Sequence, residues 1–448
     1  MNIIVIVADT LRQDYLGCYG NDWVRTPCLD AFAKRAAVFN RAYAGSFPTI
    51  PMRADLMTGR YVFHSYGWAP MPPGETAIAE ILRKDGYLTA LFSDHLQLIA
   101  PGMNYHKGFG HVNWTRGQVP DVIVTDPIEV KLPCKPEKMR NPAGCAQYLK
   151  NKTIRRYERD EYVAVTMQNA ADWLERNYRH DKMFMYIDTF QTHEPWLPPQ
   201  WYSDIYDPGY EGEEVIWPRY DWTDYLTEAE LKHAVALYAG TVTLVDRWVG
   251  MFLQKVQDLG LMDDTAILFT ADHGFLLGEQ GRIGKHTVLK PKEGWPLYEE
   301  IARIPLLVWM PEIKERRDLD ALVQPVDMMA SMLDMAGVDI PGNLHGRSFL
   351  PVIRGNESSV RECAVSSGSI TGDPSFICYS GITDGEWSYH CGGENGETQL
   401  YHLPSDPQQQ KNVLGKNQAI AKRLHAWYID LLKSIGASEE LIALRAKC

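Results

Sequence analysis

The chain has 448 residues, 45% hydrophobic and 23% charged, which is material for a large buried core and excludes disorder and fibrous repeats. Its formal net charge of −12 disfavours a nucleic-acid partner and requires any anionic ligand to be met by a local basic site. No window reaches the roughly 18 consecutive apolar residues of a membrane span, and residues 3–7 are too short and lack the basic flank of a signal peptide. A soluble, cytoplasmic protein is therefore expected, and the eight cysteines, which show no CxxC spacing, are expected to be free thiols.

In chain order, residues 3–7 form an apolar run ending at Asp9 and are read as the first strand. The segment Ser46-Phe47-Pro48-Thr49-Ile50-Pro51-Met52-Arg53 follows. Pro51 suits the first turn of a helix, which places Thr49 or Ile50 at the cap, with free N–H groups and the positive dipole end at the Thr49 hydroxyl. Arg53, four residues on, returns to the same face with a planar fork of donors for an oxyanion. A plain capping role for Thr49 is the alternative.

A helix over 76–84 ends at Gly86, and a strand over 87–92 leads into Ser93-Asp94-His95. Residues 113–160 form a long irregular insertion carrying eight basic residues between Lys131 and Arg156 against the single acid Glu137. It is read either as an anion-attracting lid or as a solvated loop. A helix over 161–178 precedes a strand over 183–187 that ends at Asp188, with His193 just beyond. The second insertion, 194–226, is crowded with Trp196, Trp201, Tyr202, Trp217, Tyr220, Trp222 and Tyr225, read as core packing of the insertion or as a stacking surface for a sugar or aryl group.

Thr227-Glu228-Ala229-Glu230 is a capping box opening a long helix over 229–259, and Gly260 is placed to end it. A strand over 266–270 then delivers Asp272 and His273. Strands and helices in alternation give an α/β fold, a mostly parallel sheet flanked by helices, with ligands at the carboxyl ends of its strands. After Gly355 the pattern changes to short strands over 376–382, 386–389 and 399–403 and a helix over 419–433. The expected division is a catalytic domain over 1–355 and a small C-terminal antiparallel α+β subdomain over 356–448.

Asp9, Thr49, Asp272 and His273 together could make a four-ligand site for a divalent cation, which would lower the pKa of the Thr49 hydroxyl and create a nucleophile. His193 is a candidate to protonate a leaving oxygen, because the ordinary imidazole pKa is near 6.5. Asp188 with His193 is a weaker candidate second metal site, and His286 and His345 are minor candidate ligands.

The residues 3–9 with Thr10-Leu11-Arg12-Gln13-Asp14-Tyr15, the helix running to Thr58-Gly59-Arg60, Asp272-His273-Gly274, Gly284-Lys285, Arg303-Ile304-Pro305 and Leu400-Tyr401-His402-Leu403 with Asp406-Pro407 occur in an order that resembles the sulfatase family of the alkaline phosphatase superfamily. The resemblance covers nearly the whole chain. It implies that family's α/β fold, with Asp9, Asp272 and His273 at a metal, Thr49 as nucleophile, Arg53 as its oxyanion partner, and Lys285 and His193 on the substrate or leaving group. His95 falls where the family carries a substrate-side Lys/His pair, although Asp94 stands in place of the lysine.

Two departures bear on chemistry. Thr49 occupies the position at which such sulfatases carry a Cys or Ser that is oxidised to formylglycine, and threonine cannot yield that aldehyde. Thr10 replaces the second aspartate of the usual tandem pair. The set Asp, Thr, Asp, His resembles instead the single-metal sites of superfamily members that use threonine on phosphoesters. The expectation is a hydrolase of a small anionic ester, sugar- or aryl-linked, with phosphomonoester, phosphodiester or phosphonate ester favoured over sulfate ester. One divalent ion, Mn²⁺ or Zn²⁺ before Ca²⁺ or Mg²⁺, is expected, with no formylglycine and no membrane partner, and a homo-oligomer is compatible. A sulfuric ester hydrolase of unusual mechanism and a silent anion-binding relative are the alternatives.

Overall fold

The computed structural model describes residues 1–285, 294–371, 378–393 and 396–447. Its strands are β1 (Asn2–Ala8), β2 (Ala37–Phe39), β3 (Leu88–Ser93), β4 (His111–Trp114), β5 (Met183–Thr189), β6 (Asp221–Trp222), β7 (Thr265–Ala271), β8 (Leu276–Leu277), β9 (Arg282–Gly284), β10 (Leu306–Trp309), β11 (Arg317–Leu319), β12 (Ala364–Ser367), β13 (Ser380–Thr383), β14 (Trp387–Cys391) and β15 (Gln399–His402). Eight of them form the central sheet in the order β11-β2-β10-β7-β1-β5-β3-β4. The neighbours β7, β1, β5, β3 and β4 are parallel, whereas β10 runs antiparallel to both β7 and β2.

Every residue of β1, β5 and β7 is buried. Their unalternating apolar sequences are what a strand covered on both faces requires. Because β1 is flanked by β5 and β7 in parallel register, with Val7 opposite both Asp188 and Thr270, the residues at and just past the carboxyl end of each strand come together at one edge of the sheet. Asp9, Asp188, Asp272 and His273 are thereby gathered from positions far apart in the chain.

The long helix spans Glu228–Asp258, and its capping box is formed as expected, with Thr227 Oγ1 accepting from the Glu230 amide and the Glu230 carboxylate accepting from the Thr227 amide. Gly260 has φ 72°, the left-handed conformation a glycine tolerates. At the C-terminal end, β12, β13, β14 and β15 make an antiparallel sheet packed under the helix Gln418–Ser434. Its apolar cluster also contains Tyr61, Phe63 and Val326, so this sheet shares a core with the first part of the chain. Of the strand expected over 376–382, residues 376–377 lie outside the described residues.

Among the described residues the cysteine expectation needs correction at Cys391, and Cys448 lies outside them. Cys18, Cys28, Cys134, Cys145, Cys363 and Cys378 are free, but Cys391 is disulfide-bonded, and without a spacing motif nothing in the sequence separated it from the others. Among the described residues no helix is long and apolar enough to cross a membrane.

Candidate active site

Thr49 opens the helix Thr49–Thr58 as its first helical residue, with Pro48 preceding it at the cap position. Pro51 therefore sits one position deeper than the sequence suggested, and neither Thr49 nor Ile50 is the cap. The hydroxyl still lies at the positive end of the helix, in a side chain only 2% exposed, with Oγ1 3.4 Å from Nε2 of His273.

His273 is held by its own backbone surroundings. Its amide donates to Asp272 Oδ1 at 2.7 Å, and its Nδ1 is 2.9 Å from the carbonyl oxygen of Gly274, so Nδ1 carries the proton and Nε2 presents a lone pair. Gly274 is required by space, because a Cβ there would lie 2.0 Å from the Glu300 carbonyl oxygen. Burial pushes the His273 imidazole down to about 3, which keeps it neutral and suited to ligating a cation.

Asp9 and Asp272 complete the cluster: one ligand atom from each of Asp9, Asp272 and His273 lies within 4.8 Å of the others, and all three residues are buried. Thr10 ties the two acids together, its amide donating to Asp272 Oδ1 at 2.8 Å and its hydroxyl to Asp9 Oδ1 at 2.7 Å. It does so with φ at 60°, a left-handed conformation uncommon for threonine, so backbone strain is concentrated at this residue. Oδ2 of Asp9 is buried and has no hydrogen-bond donor among the described residues, although it is ion-paired to Arg53. Burial, reinforced by Asp272, raises the Asp9 carboxyl well above its ordinary range, whereas Asp272, despite the same burial, is held well below it by His273, Arg53 and Lys285. Two close buried carboxylates and a neutral imidazole nitrogen are a donor set that fits a divalent cation.

Arg53 is placed in this cluster, but its fork faces carboxylates. Nε and Nη2 donate to the two oxygens of Asp188, each at 2.8 Å, while Nη1 donates to Asp272 Oδ2 at 2.7 Å and to the Thr49 carbonyl at 3.0 Å. Nη2 also lies 3.2 Å from Asp9 Oδ2, and all these side chains are fully buried. Asp188 is thus paired with Arg53, and among the described residues it does not join His193 in a second metal-type cluster.

Lys285, 5% exposed, follows β9 and brings Nζ to 3.2 Å from Thr10 Oγ1 and 3.4 Å from His273 Nε2. His95, at the start of the helix Leu96–Ile99, is 1% exposed, and Nε2 is 3.9 Å from Asp9 Oδ2. Neither ring nitrogen has a hydrogen-bond partner among the described residues, and burial together with Arg53 holds the ring neutral. Asp94 is engaged elsewhere, accepting from the Phe190 amide at 2.6 Å.

His193 stacks on Phe190 with ring centres 4.1 Å apart. Burial and the nearby Lys285 push its imidazole well below the ordinary value. That shift favours the neutral ring at neutral pH. His345 is remote from these groups, its Nδ1 accepting from the Tyr61 amide at 3.0 Å, and His286 lies outside the described residues.

The insertions are packed more tightly than their irregular sequences suggested. Lys138 pairs with Glu213 and Glu230, Lys152 with Glu161, and Arg155 donates to the carbonyls of Asp160 and Arg116, so much of the basic run is spent on internal contacts. Trp196, Tyr202, Trp217 and Tyr220 are buried, and Trp201 and Trp222 are exposed. Glu194, with Oε2 3.3 Å from His193 Nδ1, and Arg140, 3.8 Å from Glu194 Oε1, were not singled out as site candidates in the sequence; adjacency to His193 was the available signal for the first.

The family model named Sulfatase matches residues 1–338, three quarters of the chain. The chain belongs to the sulfatase family. A second model, the C-terminal region of N-sulphoglucosamine sulphohydrolase, matches residues 294–433. Among curated sulfatases, the arylsulfatase of Clostridium perfringens is 25% identical over 493 residues, covering 98% of this chain and 95% of the relative. Among solved structures, the phosphonate monoester hydrolase of Agrobacterium radiobacter superposes with a TM-score of 0.75 at 20% identity, covering 97% of this chain and 96% of that one. An equal TM-score of 0.75, also at 20% identity and covering 98% and 99% of the two chains, relates it to a structure in complex with its substrate D-glucosamine-2-N,6-O-disulfate. As a member of the sulfatase family, the protein is an ester hydrolase.

Proposed function

We propose that this sulfatase-family protein is a metal-dependent hydrolase of phosphorus esters, with phosphonate and phosphate monoesters as preferred substrates and Thr49 as nucleophile. The observation that carries the reading is the position of the Thr49 hydroxyl, buried at a helix N-terminus and 3.4 Å from His273 within the Asp9, Asp272 and His273 cluster. Asp9, Asp272 and His273 would hold the cation, and with only two carboxylates and an imidazole they favour Mn²⁺ or Zn²⁺ over Ca²⁺. When bound, such an ion supplies positive charge that neutralises the two carboxylates and favours deprotonation of a neighbouring hydroxyl.

Thr49 Oγ1 attacks phosphorus as its hydroxyl proton is given up, the bond to the ester oxygen breaks, and that oxygen takes up one proton and departs as the alcohol. The Lys285 ammonium, beside Thr10 and His273, meets negative charge on the substrate. Water then attacks the phosphorus bound to Thr49, its proton passes to Nε2 of His193, the bond to Oγ1 breaks, and Oγ1 takes a proton back from the imidazolium, which restores both residues. Arg53 acts chiefly by fixing Asp188 and Asp272 and holding the first helical turn through the Thr49 carbonyl.

The choice of phosphorus over sulfur rests on the nucleophile. A formylglycine hemiacetal can collapse and expel sulfate by C–O cleavage, whereas a threonyl ester has no such exit and must be resolved by water attacking the central atom. The family likeness includes both sulfatases and phosphonate monoester hydrolases, so a direct comparison is needed. The test is a panel of nitrophenyl phosphate, phenylphosphonate, phosphodiester and sulfate with each of Mn²⁺, Zn²⁺, Mg²⁺ and Ca²⁺. Phosphonate or phosphate turnover exceeding sulfate turnover is expected, and the reverse order would replace this reading with a sulfuric ester hydrolase.

A further inference from the structure

Glu194 is a fully buried carboxylate whose two oxygens face different partners. Oε1 accepts a hydrogen bond from the Tyr220 hydroxyl and lies 3.8 Å from Nη1 of Arg140, whose guanidinium carbon sits 3.9 Å over the Tyr220 ring. Oε2 has no hydrogen-bond donor among the described residues and lies 3.3 Å from Nδ1 of His193. The main-chain oxygen of Glu194 is 2.5 Å from the same Nδ1. Burying a carboxylate is costly, and leaving one oxygen unpaired adds to the cost, so packing alone gives no reason for an acid here.

We infer that Glu194 is a positioning residue for His193: its carbonyl fixes the ring with the proton on Nδ1, its carboxylate faces the imidazolium that forms when Nε2 takes a proton, and Tyr220 and Arg140 hold that carboxylate in place. The inference rests on the proton-acceptor role proposed for His193. The arrangement follows the general logic of an acid behind a catalytic imidazole, in which the carboxylate orients the ring and stabilises its charged form. It also gives the two insertions a function, since Arg140 comes from 113–160 and Tyr220 from 194–226. Among the described residues, other titratable and charged groups acting on His193 are Lys285, Arg140, His273 and His95, and Glu194 is a carboxylate beside the ring.

The test uses Glu194→Gln, which keeps size and the acceptor for Tyr220 but removes the charge, assayed with nitrophenyl phenylphosphonate. The expected result is a kcat lower by roughly 10- to 100-fold with KM within about threefold, and a burst of nitrophenol before slow turnover as water attack becomes limiting. Glu194→Asp should recover part of the rate, and Glu194→Gln combined with His193→Gln should be no slower than His193→Gln alone. Should the glutamine variant fold poorly, Tyr220→Phe gives the same direction of change more weakly, because the charge stays but its tether is lost. Independent, multiplying effects of the two positions, or a loss confined to KM, overturn the inference, as does wild-type kcat in a folded Glu194→Gln or, where only it folds, Tyr220→Phe. A slow His193→Gln beside an unimpaired Glu194→Gln removes only the Glu194 inference, whereas a fully active His193→Gln removes the role proposed for His193 and this inference with it.

Discussion

Arg53 lies flat against Asp188, with Nε and Nη2 each 2.8 Å from one carboxylate oxygen and neither side chain exposed to solvent. The pair joins the helix that begins at Thr49 to the end of β5, and through Nη1 it reaches Asp272 at the end of β7. The nucleophile helix is thus fastened to the sheet edge by charge as well as by apolar packing.

Removing Arg53 leaves a buried carboxylate without its counter-charge, which costs about 3–5 kcal/mol. Arg53→Met should lower unfolding stability by an amount of that order in urea titrations. Arg53→Lys should recover only part, since an ammonium cannot engage both Asp188 oxygens and Asp272 in the same fork geometry. Adding Asp188→Asn to Arg53→Met should restore some of the loss, and a strictly additive double variant would contradict the pairing.

Metal binding should stabilise the fold through the Asp9, Asp272 and His273 cluster. Addition of Mn²⁺ or Zn²⁺ to chelator-treated protein is expected to raise Tm, since an ion at about 100 times its Kd contributes roughly 2.7 kcal/mol. Asp9→Asn and His273→Ala should lose that rise. A rise produced by Ca²⁺ alone would contradict the ligand-type argument.

The reach of the sequence was uneven for physical reasons. Ends of buried strands are local features, so Asp9, Asp188, Asp272 and His273 were visible as residues following apolar runs, and the capping box at Thr227 marked the long helix within a residue. The Arg53–Asp188 pair was not visible, because it spans 135 positions and depends on β5 lying beside β1. The antiparallel strand β10 was also missed, since four apolar residues at 306–309 carry no period of their own. Tertiary context likewise acts on His193, whose imidazole is pushed down by burial and by Lys285, neither of which a local sequence window shows.

His390 supplies a pH test away from the active site. It is 1% exposed, and burial pushes its imidazole down from 6.5 to about 3. The unfolded chain then binds a proton that the folded one refuses, so this contribution to stability is complete above pH 6.5 and is lost progressively as the pH falls toward about 3. Between pH 7 and 5 the loss from this group is roughly 2 kcal/mol. Urea unfolding of wild type and His390→Gln at both pH values should show a smaller drop in the variant, and identical drops would contradict the assignment.

The central claim is that Thr49 carries the reacting group. Acid-quenched protein taken during turnover of nitrophenyl phenylphosphonate and digested for mass spectrometry should show a phosphonyl adduct on the peptide containing Thr49. Thr49→Ala should lack it, with kcat reduced by at least about a thousandfold, or roughly 4 kcal/mol of transition-state stabilisation, while Thr49→Ser retains both adduct and partial activity. An unmodified Thr49 peptide in the quenched wild type, together with full turnover by Thr49→Ala, would contradict the account.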